Sequence, residues 1–88
     1  MDKTFIGACG VDARRGVTTI EPDEAAVFRA MVRQAKQVIV VADSSKIGMV
    51  SPALICPANE IDVLVTDSGI AADALEAFRT NDIEVQAV

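Results

Sequence analysis

The most constraining feature of this sequence is the uninterrupted apolar run VIVVA at residues 38–42. Neighbouring side chains of a strand point to opposite faces, so a run that is apolar at every position predicts a strand buried on both faces. Residues 61–66 (IDVLVT) predict a second strand of this kind. Such strands are typical of parallel sheets covered by crossover helices. Five apolar residues are far too few for a membrane span, which needs about 20.

Helical periodicity occurs in the two segments that alternate with these strands. Pro22 suits the first position of a helix, and the spacing predicts a helix over residues 22–36. A second helix is predicted over residues 71–80, with Asp67 or Ser68 as its N-cap. The predicted buried positions are Val27, Phe28, Met31, Val32 and Ala35 in the first helix, and Ala71, Ala74, Leu75 and Phe78 in the second.

The remaining segments complete the predicted order β-α-β-(β)-β-α-β. Residues 4–9 and 83–87 are predicted strands, residues 12–16 a polar loop, and residues 44–57 irregular with room for a short strand at 53–56. We therefore predict a single α/β domain of 88 residues, with a mainly parallel sheet of about four strands and right-handed crossovers. The first strand is as apolar as an interior strand. This indicates a fragment of a larger α/β domain, or a chain that needs a partner surface, and we expect self-association.

Composition excludes several chemistries. The chain has no histidine, which excludes Ser-His-Asp triads and His-ligated metals. Cys9 and Cys56 form no CxxC motif and are interpreted as small buried side chains in a reducing cytoplasm. The net charge of −5 argues against direct nucleic-acid binding. No GxGxxG motif or P-loop is present, so nucleotide binding has no support and no cofactor is expected. No metal is expected either.

Glu24 is the sharpest candidate for a functional residue. It falls in line with Phe28 and Met31 on a helical wheel, so the periodicity predicts that its carboxylate faces the sheet. There it could hold a sugar hydroxyl. The alternative is a first-turn glutamate that stabilises the helix dipole or acts in capping.

Further candidates follow the predicted strands, because open α/β sheets bind ligands at the carboxyl ends of their strands. Asp43 and Lys46 lie in the segment DSSK, where one ammonium beside two hydroxyls suits a phosphate or carboxylate. Asp12, Cys9 and Thr19 lie near the same edge. The alternatives are a solvated turn capped by Asp43 and a simple turn after the first strand at Asp12.

These segments resemble the C-terminal part of the effector-sensing domain of DeoR-type bacterial transcriptional repressors. The similarity covers nearly the whole chain, and its strongest block is ADSSKIG after the valine-rich strand. The matching blocks are DKTFIG at 2–7, GVD at 10–12, RGVTT at 15–19, DEAAVFRAM at 23–31, VIVVADSSKIG at 38–48 and EIDVLVTD at 60–67.

The resemblance implies a sensor whose fold is similar to ribose-5-phosphate isomerase and the coenzyme A transferases. In that family a phosphorylated sugar or sugar alcohol alters operator binding by an N-terminal winged helix-turn-helix. The resemblance implies that residues 1–88 form a partial sensor domain. It also implies that the winged helix-turn-helix and the first part of the sensor lie outside these residues. DNA would then be bound only through the absent domain, in the bacterial cytoplasm and without a membrane.

The isomerase likeness also implies roles for individual residues. Glu24 corresponds to the catalytic base of those enzymes, and Lys46 corresponds to a lysine that follows a later strand. An Asp-Gly-x-Asp turn becomes Cys9-Gly10-Val11-Asp12, in which Cys9 replaces the first carboxylate. Since proton transfer needs correctly placed groups, this loss favours ligand binding over catalysis. The alternatives are an isomerase-like enzyme that uses Glu24 as base, and a structural fragment without a competent site.

Overall fold

The computed structural model describes residues 2–88, which form seven strands and two α-helices. In chain order the elements are β1 (Lys3–Gly7), β2 (Gly10–Asp12), β3 (Gly16–Thr19), α1 (Pro22–Gln34), β4 (Gln37–Val41), β5 (Ala53–Cys56), β6 (Val63–Thr66), α2 (Ala72–Thr80) and β7 (Glu84–Ala87). Short 3-10 turns at Ser44–Lys46 and Ala58–Glu60 flank β5. Neither α1, with 13 residues, nor α2, with 9, is long and apolar enough to cross a bilayer.

The main sheet contains four parallel strands in the order β1-β4-β6-β7, which confirms the predicted α/β class. The apolar run at 38–42 supplies β4, an inner strand, and β7 is the predicted edge strand. The spatial order of these four strands is their order in the chain, so each strand lies beside the previous one and always on the same side of it. Right-handed crossovers then place all the connections, including both helices, on one face of the sheet.

A smaller antiparallel sheet, in the order β2-β3-β5, lies within these connections. The short strand at 53–56 is confirmed as β5. The β2-β3 hairpin was not predicted, although its turn falls within the predicted polar loop. Gly16 enters β3 with a φ of +88°, a conformation that favours glycine.

Helix α1 begins at Pro22 as predicted, but its buried stripe differs from the predicted one. Ala25 is fully buried, and Phe28, Val32 and Ala35 pack against the core. Val27 is 60% exposed, so its predicted burial was wrong. The stripe is turned toward Ala25 because the helix packs against β1, β3 and β5 at once.

Helix α2 begins after Ala71, whose side chain makes no capping hydrogen bond. The prediction that Asp67 or Ser68 caps this helix was wrong, because Asp67 instead accepts a hydrogen bond from the amide of Gly69. Phe78, 1% exposed, is the largest fully buried side chain of the core. It packs with Ile6, Val40 and Leu64 from the covered face of the main sheet.

The opposite face of the main sheet, here called the open face, is covered by no helix of residues 2–88. By strand alternation it presents Lys3, Phe5, Gly7, Gln37, Ile39, Val41, Val63, Val65, Glu84 and Gln86. Phe5 is 63% exposed and Val41 45% exposed. Ile39 and Val63 are buried between their neighbours, yet they lie outside the main core cluster. The domain therefore has one closed face and one apolar open face.

Candidate functional site at the carboxyl edge of the sheet

The segment DSSK forms a tight 3-10 turn directly after β4. The Asp43 carboxylate caps this turn, since Oδ1 accepts hydrogen bonds from the Ser45 amide at 3.0 Å and from the Ser45 hydroxyl. Lys46 ends the turn, and its amide donates to the Asp43 carbonyl at 3.0 Å. Asp43 is exposed and Lys46 is half-buried. The turn thus holds the Asp43 carboxylate in place, and Lys46 follows it at the end of the same turn.

Asp67 joins this turn to the end of β6. Its Oδ2 accepts a hydrogen bond from the Ser44 amide at 3.0 Å, and its Oδ1 accepts one from the Gly69 amide at 2.8 Å. These hydrogen bonds, those with Ser44 first, hold the pKa of the Asp67 carboxyl below its usual range. Sequence reasoning missed this connection. An aspartate directly after a buried strand was the available signal.

Pairing between the backbones of β2 and the DSSK turn brings together the segments that carry Asp12 and Lys46. Val11 and Ile47 form a parallel bridge, and the Gly48 amide donates to the Val11 carbonyl at 2.7 Å. In this parallel register Gly48 lies opposite Asp12, and Gly10 lies opposite Lys46. Asp12 and Lys46 therefore lie on adjacent backbone segments, offset by two residues.

The Asp12 carboxylate also organises its own turn. Its Oδ2 accepts hydrogen bonds from the amides of Arg14 at 3.2 Å and Arg15 at 2.8 Å. The turn that was considered as the alternative at Asp12 is therefore present. Asp12 also lines a crevice of about 70 Å³ together with Ile47, Gly48 and Phe78.

Cys9 and Thr19 form a second contact near the start of α1. The Cys9 Sγ and Thr19 Oγ1 atoms lie 3.6 Å apart and share a hydrogen bond. Thr19 is 1% exposed, whereas Cys9 is half-buried. The antiparallel pairing of β2 with β3 therefore brings these two predicted residues together, since Cys9 directly precedes β2 and Thr19 ends β3.

Glu24 does not occupy its predicted environment. The side chain is exposed, and within residues 2–88 no hydrogen bond joins it to another side chain. The prediction that it faces the sheet was wrong, because Ala25, roughly 100° further round the helix, takes the buried position. Glu24 lies in the first turn of α1 beside Asp23, where a carboxylate stabilises the helix dipole.

Thr66, the last residue of β6, is a further candidate that sequence reasoning missed. Its hydroxyl is buried, and within the described part of the chain it has no hydrogen-bond partner. A buried hydroxyl without a partner is costly, so such groups commonly meet a water or a ligand. A threonine ending an otherwise apolar strand was the signal. Thr4 shares this property but lies near the start of β1.

Clefts elsewhere on the molecule differ in chemistry from this edge. One of about 360 Å³ lies at the amino ends of β4 and β6 and mixes Lys36 with Glu60 and Asp62. Another, of about 210 Å³, lies between α1 and β5 and is lined in part by Cys56. Burial raises the pKa of the Cys56 thiol to about 12, which makes it unreactive. No three metal-ligating side chains cluster among residues 2–88.

A parallel sheet with polar turns gathered at its carboxyl edge defines the class of open α/β domains that hold small molecules there. The model of the DeoR C-terminal sensor domain matches residues 1–68 of this chain. The chain belongs to this family.

Curated relatives of the chain are transcriptional regulators. The chain is 42% identical over 84 residues to a putative aga operon transcriptional repressor of Escherichia coli O157:H7, covering 96% of this chain and 31% of the relative. It is 36% identical over 84 residues to the regulator GlpR of Haloferax volcanii, covering 96% and 33%. It is 43% identical over 67 residues to the repressor GlcR of Bacillus subtilis, covering 76% and 26%. The chain thus spans about a third of the length of the first two of these relatives.

Proposed function

We propose that this chain is the ligand-sensing part of a cytoplasmic bacterial transcriptional repressor. It binds a phosphorylated sugar or sugar alcohol at the carboxyl edge of the main sheet. Binding alters the operator affinity of a helix-turn-helix that residues 1–88 do not contain. The observation that carries the proposal is the parallel pairing of Val11 with Ile47, which brings together the two segments that carry Asp12 and Lys46.

The polar groups at this edge suit the two ends of such a ligand. The Lys46 ammonium, at the end of the turn after β4, takes the phosphate. The carboxylates of Asp12 and Asp43 accept hydrogen bonds from sugar hydroxyls. In each carboxylate one oxygen holds the local turn, which leaves the other for a ligand. Thr19, Cys9 and Glu24 complete the proposed set of ligand-binding residues.

The same arrangement favours binding without turnover. Isomerisation of a sugar phosphate needs a base held against the reacting carbon, within about 3 Å of the proton it removes. Glu24, which would be that base, is exposed on the first turn of α1. Cys9 stands where the related isomerases carry a carboxylate. We therefore propose a regulatory and not an enzymatic role.

A thermal-shift screen of the chain tests the ligand class. Pentose and hexose phosphates, the same sugars without phosphate, and inorganic phosphate form the three arms. A ligand at 100 times its dissociation constant stabilises the fold by about 2.7 kcal/mol, so the melting temperature should rise with the correct sugar phosphate alone. An equal rise with unphosphorylated sugars, or no rise in any arm, would contradict the proposal.

A gel-shift assay tests whether this chain binds operator DNA without the helix-turn-helix. The chain has a net charge of −5 and carries no recognition-helix pattern, so it should not shift operator DNA in a sequence-dependent way. A sequence-dependent, salt-sensitive shift by the chain alone would overturn this part of the proposal.

A further inference from the structure

We propose that the crevice beside Asp12 receives a small apolar group of the ligand, so that the site prefers sugar phosphates with a methyl group next to an O–H or N–H donor. The inference rests on the proposed function, since it takes Asp12 and Lys46 as ligand contacts, and it adds the class of sugar that the site selects. A deoxy sugar and an N-acetylated sugar both supply such a methyl group.

The crevice lies between helix α2 and the two segments that carry the proposed ligand contacts. Ala13 lines it from the turn after β2, and Ile47 and Gly48 line it from the end of the DSSK turn. Helix α2 contributes three apolar side chains, those of Ala74, Ala77 and Phe78. Among the described residues that line the crevice, Asp12 alone has a polar side chain. The wall is therefore suited to an apolar group.

The volume of the crevice sets the size of that group. The volume is about 70 Å³, and one water molecule takes up about 30 Å³ in the liquid, so the crevice holds roughly two non-hydrogen atoms. A buried water needs about two to four polar partners, whereas cavities with apolar walls stay dry and bind apolar molecules. A methyl group therefore enters this crevice without displacing a well-bonded water.

The Asp12 carboxylate places a hydrogen-bond acceptor at the same crevice. Its Oδ2 accepts from the amides of Arg14 at 3.2 Å and Arg15 at 2.8 Å, which leaves Oδ1 for the ligand. Asp12 is half-buried, so a donor that reaches Oδ1 makes a charge-assisted hydrogen bond that is partly shielded from water. The donor of the ligand therefore lies next to the methyl group that enters the crevice.

The backbone register gives the ligand a direction. Lys46 and Asp12 are offset by two residues, roughly 7 Å along the backbone. The Lys46 ammonium attracts a phosphate, whereas the Asp12 carboxylate repels one. The methyl group therefore lies at the end of the sugar remote from the phosphate. The open-chain form of a 6-deoxyketohexose 1-phosphate has this arrangement, and so does a hexose 6-phosphate with an N-acetyl group on C2.

Isothermal titration of the 88-residue chain with two matched pairs of sugar phosphates tests the preference. The first pair is a 6-deoxyketohexose 1-phosphate and its parent ketohexose 1-phosphate. The second is N-acetylglucosamine 6-phosphate and its N-formyl analogue. A methyl group in an apolar pocket discriminates by about tenfold or more, so the methyl-bearing sugar should bind about tenfold tighter in one of the pairs. The pair that shows this difference identifies the source of the methyl group.

The titrations separate this inference from the proposed function. Equal affinities within both pairs would overturn the methyl preference and leave sugar-phosphate binding in place. An absence of binding by all four compounds would count against both.

Filling the crevice tests its location. Ala77→Leu and Ala74→Leu each place a larger apolar side chain in the crevice, and each should abolish the methyl preference while the parent sugar phosphate binds as it does to the wild type. Ala72→Leu makes the same change at an exposed position of the same helix and should keep the preference. Circular dichroism confirms that the variants fold. An unchanged preference in a folded crevice variant would show that the methyl group binds elsewhere.

Discussion

The Asp67 carboxylate accepts a 3.0 Å hydrogen bond from the backbone amide of Ser44, and this contact joins the ends of two neighbouring parallel strands. Asp67 follows β6, and Ser44 opens the turn after β4. The contact fixes the turn that carries Asp43 and Lys46. The geometry of the candidate site therefore depends on a residue that is itself outside the predicted ligand set.

Replacing Asp67 with asparagine should destabilise the fold in a pH-dependent way. The folded-state pKa of Asp67 lies below its usual value, so the carboxylate stabilises the fold above the unfolded pKa of about 3.9. That stabilisation is lost as the pH falls through the folded pKa. Urea unfolding of wild type and Asp67→Asn should therefore differ at pH 7, and the difference should shrink in strong acid. A difference independent of pH would show that the charge plays no part.

Replacing Lys46 with methionine should weaken effector binding while sparing the fold. A hydrogen bond to a charged group is worth roughly 1.5–3 kcal/mol, so the affinity for the sugar phosphate should fall about tenfold to a hundredfold. Isothermal titration of the ligand found in the thermal-shift screen measures this. Lys36→Met, at the opposite edge of the sheet, is the matched control and should bind normally. Equal affinities for wild type and Lys46→Met would remove Lys46 from the site.

Two glycines with similar backbone angles should respond differently to alanine. Gly16 and Gly48 have φ of +88° and +84°, so alanine is strained at both by about 1–2 kcal/mol. A Cβ at Gly16 would also press on the Cys56 carbonyl and lie 2.9 Å from the Pro57 Cα, whereas nothing lies within 4 Å at Gly48. Overpacking adds roughly 1–3 kcal/mol, so urea unfolding should show Gly16→Ala to be the less stable variant. Equal losses would mean that β5 can move away from Gly16.

The two thiols should differ in reactivity toward a thiol-specific reagent. With a pKa of about 12, Cys56 carries roughly one thiolate in ten thousand molecules at pH 8, and it is buried. Cys9 is half-buried and accessible. One thiol per native protein molecule should therefore react rapidly with the reagent, and the second should react only in denaturant. Cys9→Ser should lose the rapid phase, and rapid labelling of that variant would contradict the burial of Cys56.

The parallel strands and both helices could be predicted from the sequence because their periodicity extends over many residues. The β2-β3 hairpin could not, since its strands have only three and four residues and contain no local alternation. Their burial comes from packing against α1, which follows directly, and against β5 and the DSSK turn, which are distant in the chain. The stripe of α1 was misplaced for a related reason. Ala25 is small enough to enter a close contact that the larger Val27 does not make.

The residues of the candidate site could be predicted more readily than their contacts. The rule that ligands lie at the carboxyl ends of parallel strands selected Asp12, Asp43 and Lys46. The bridge between Val11 and Ile47 brings the segments of Asp12 and Lys46 together, offset by two residues. Glu24 was selected by helical angle alone, and a small rotation of α1 moved it to solvent. The contact between Asp67 and Ser44 joins two connections of the sheet, so the position of Asp67 after β6 marks the residue but does not identify its partner.

The chain-order arrangement of the parallel strands has a consequence for how this domain folds. Lys3 pairs with Gln37, Ile39 with Val63, and Val63 with Glu84, so each pairing closes a loop of roughly 20 to 35 residues. Within residues 2–88, no strand of the main sheet is inserted between two strands that precede it in the chain. Each step meets a similar entropic cost, and the strands can be added one after another as the polypeptide leaves the ribosome.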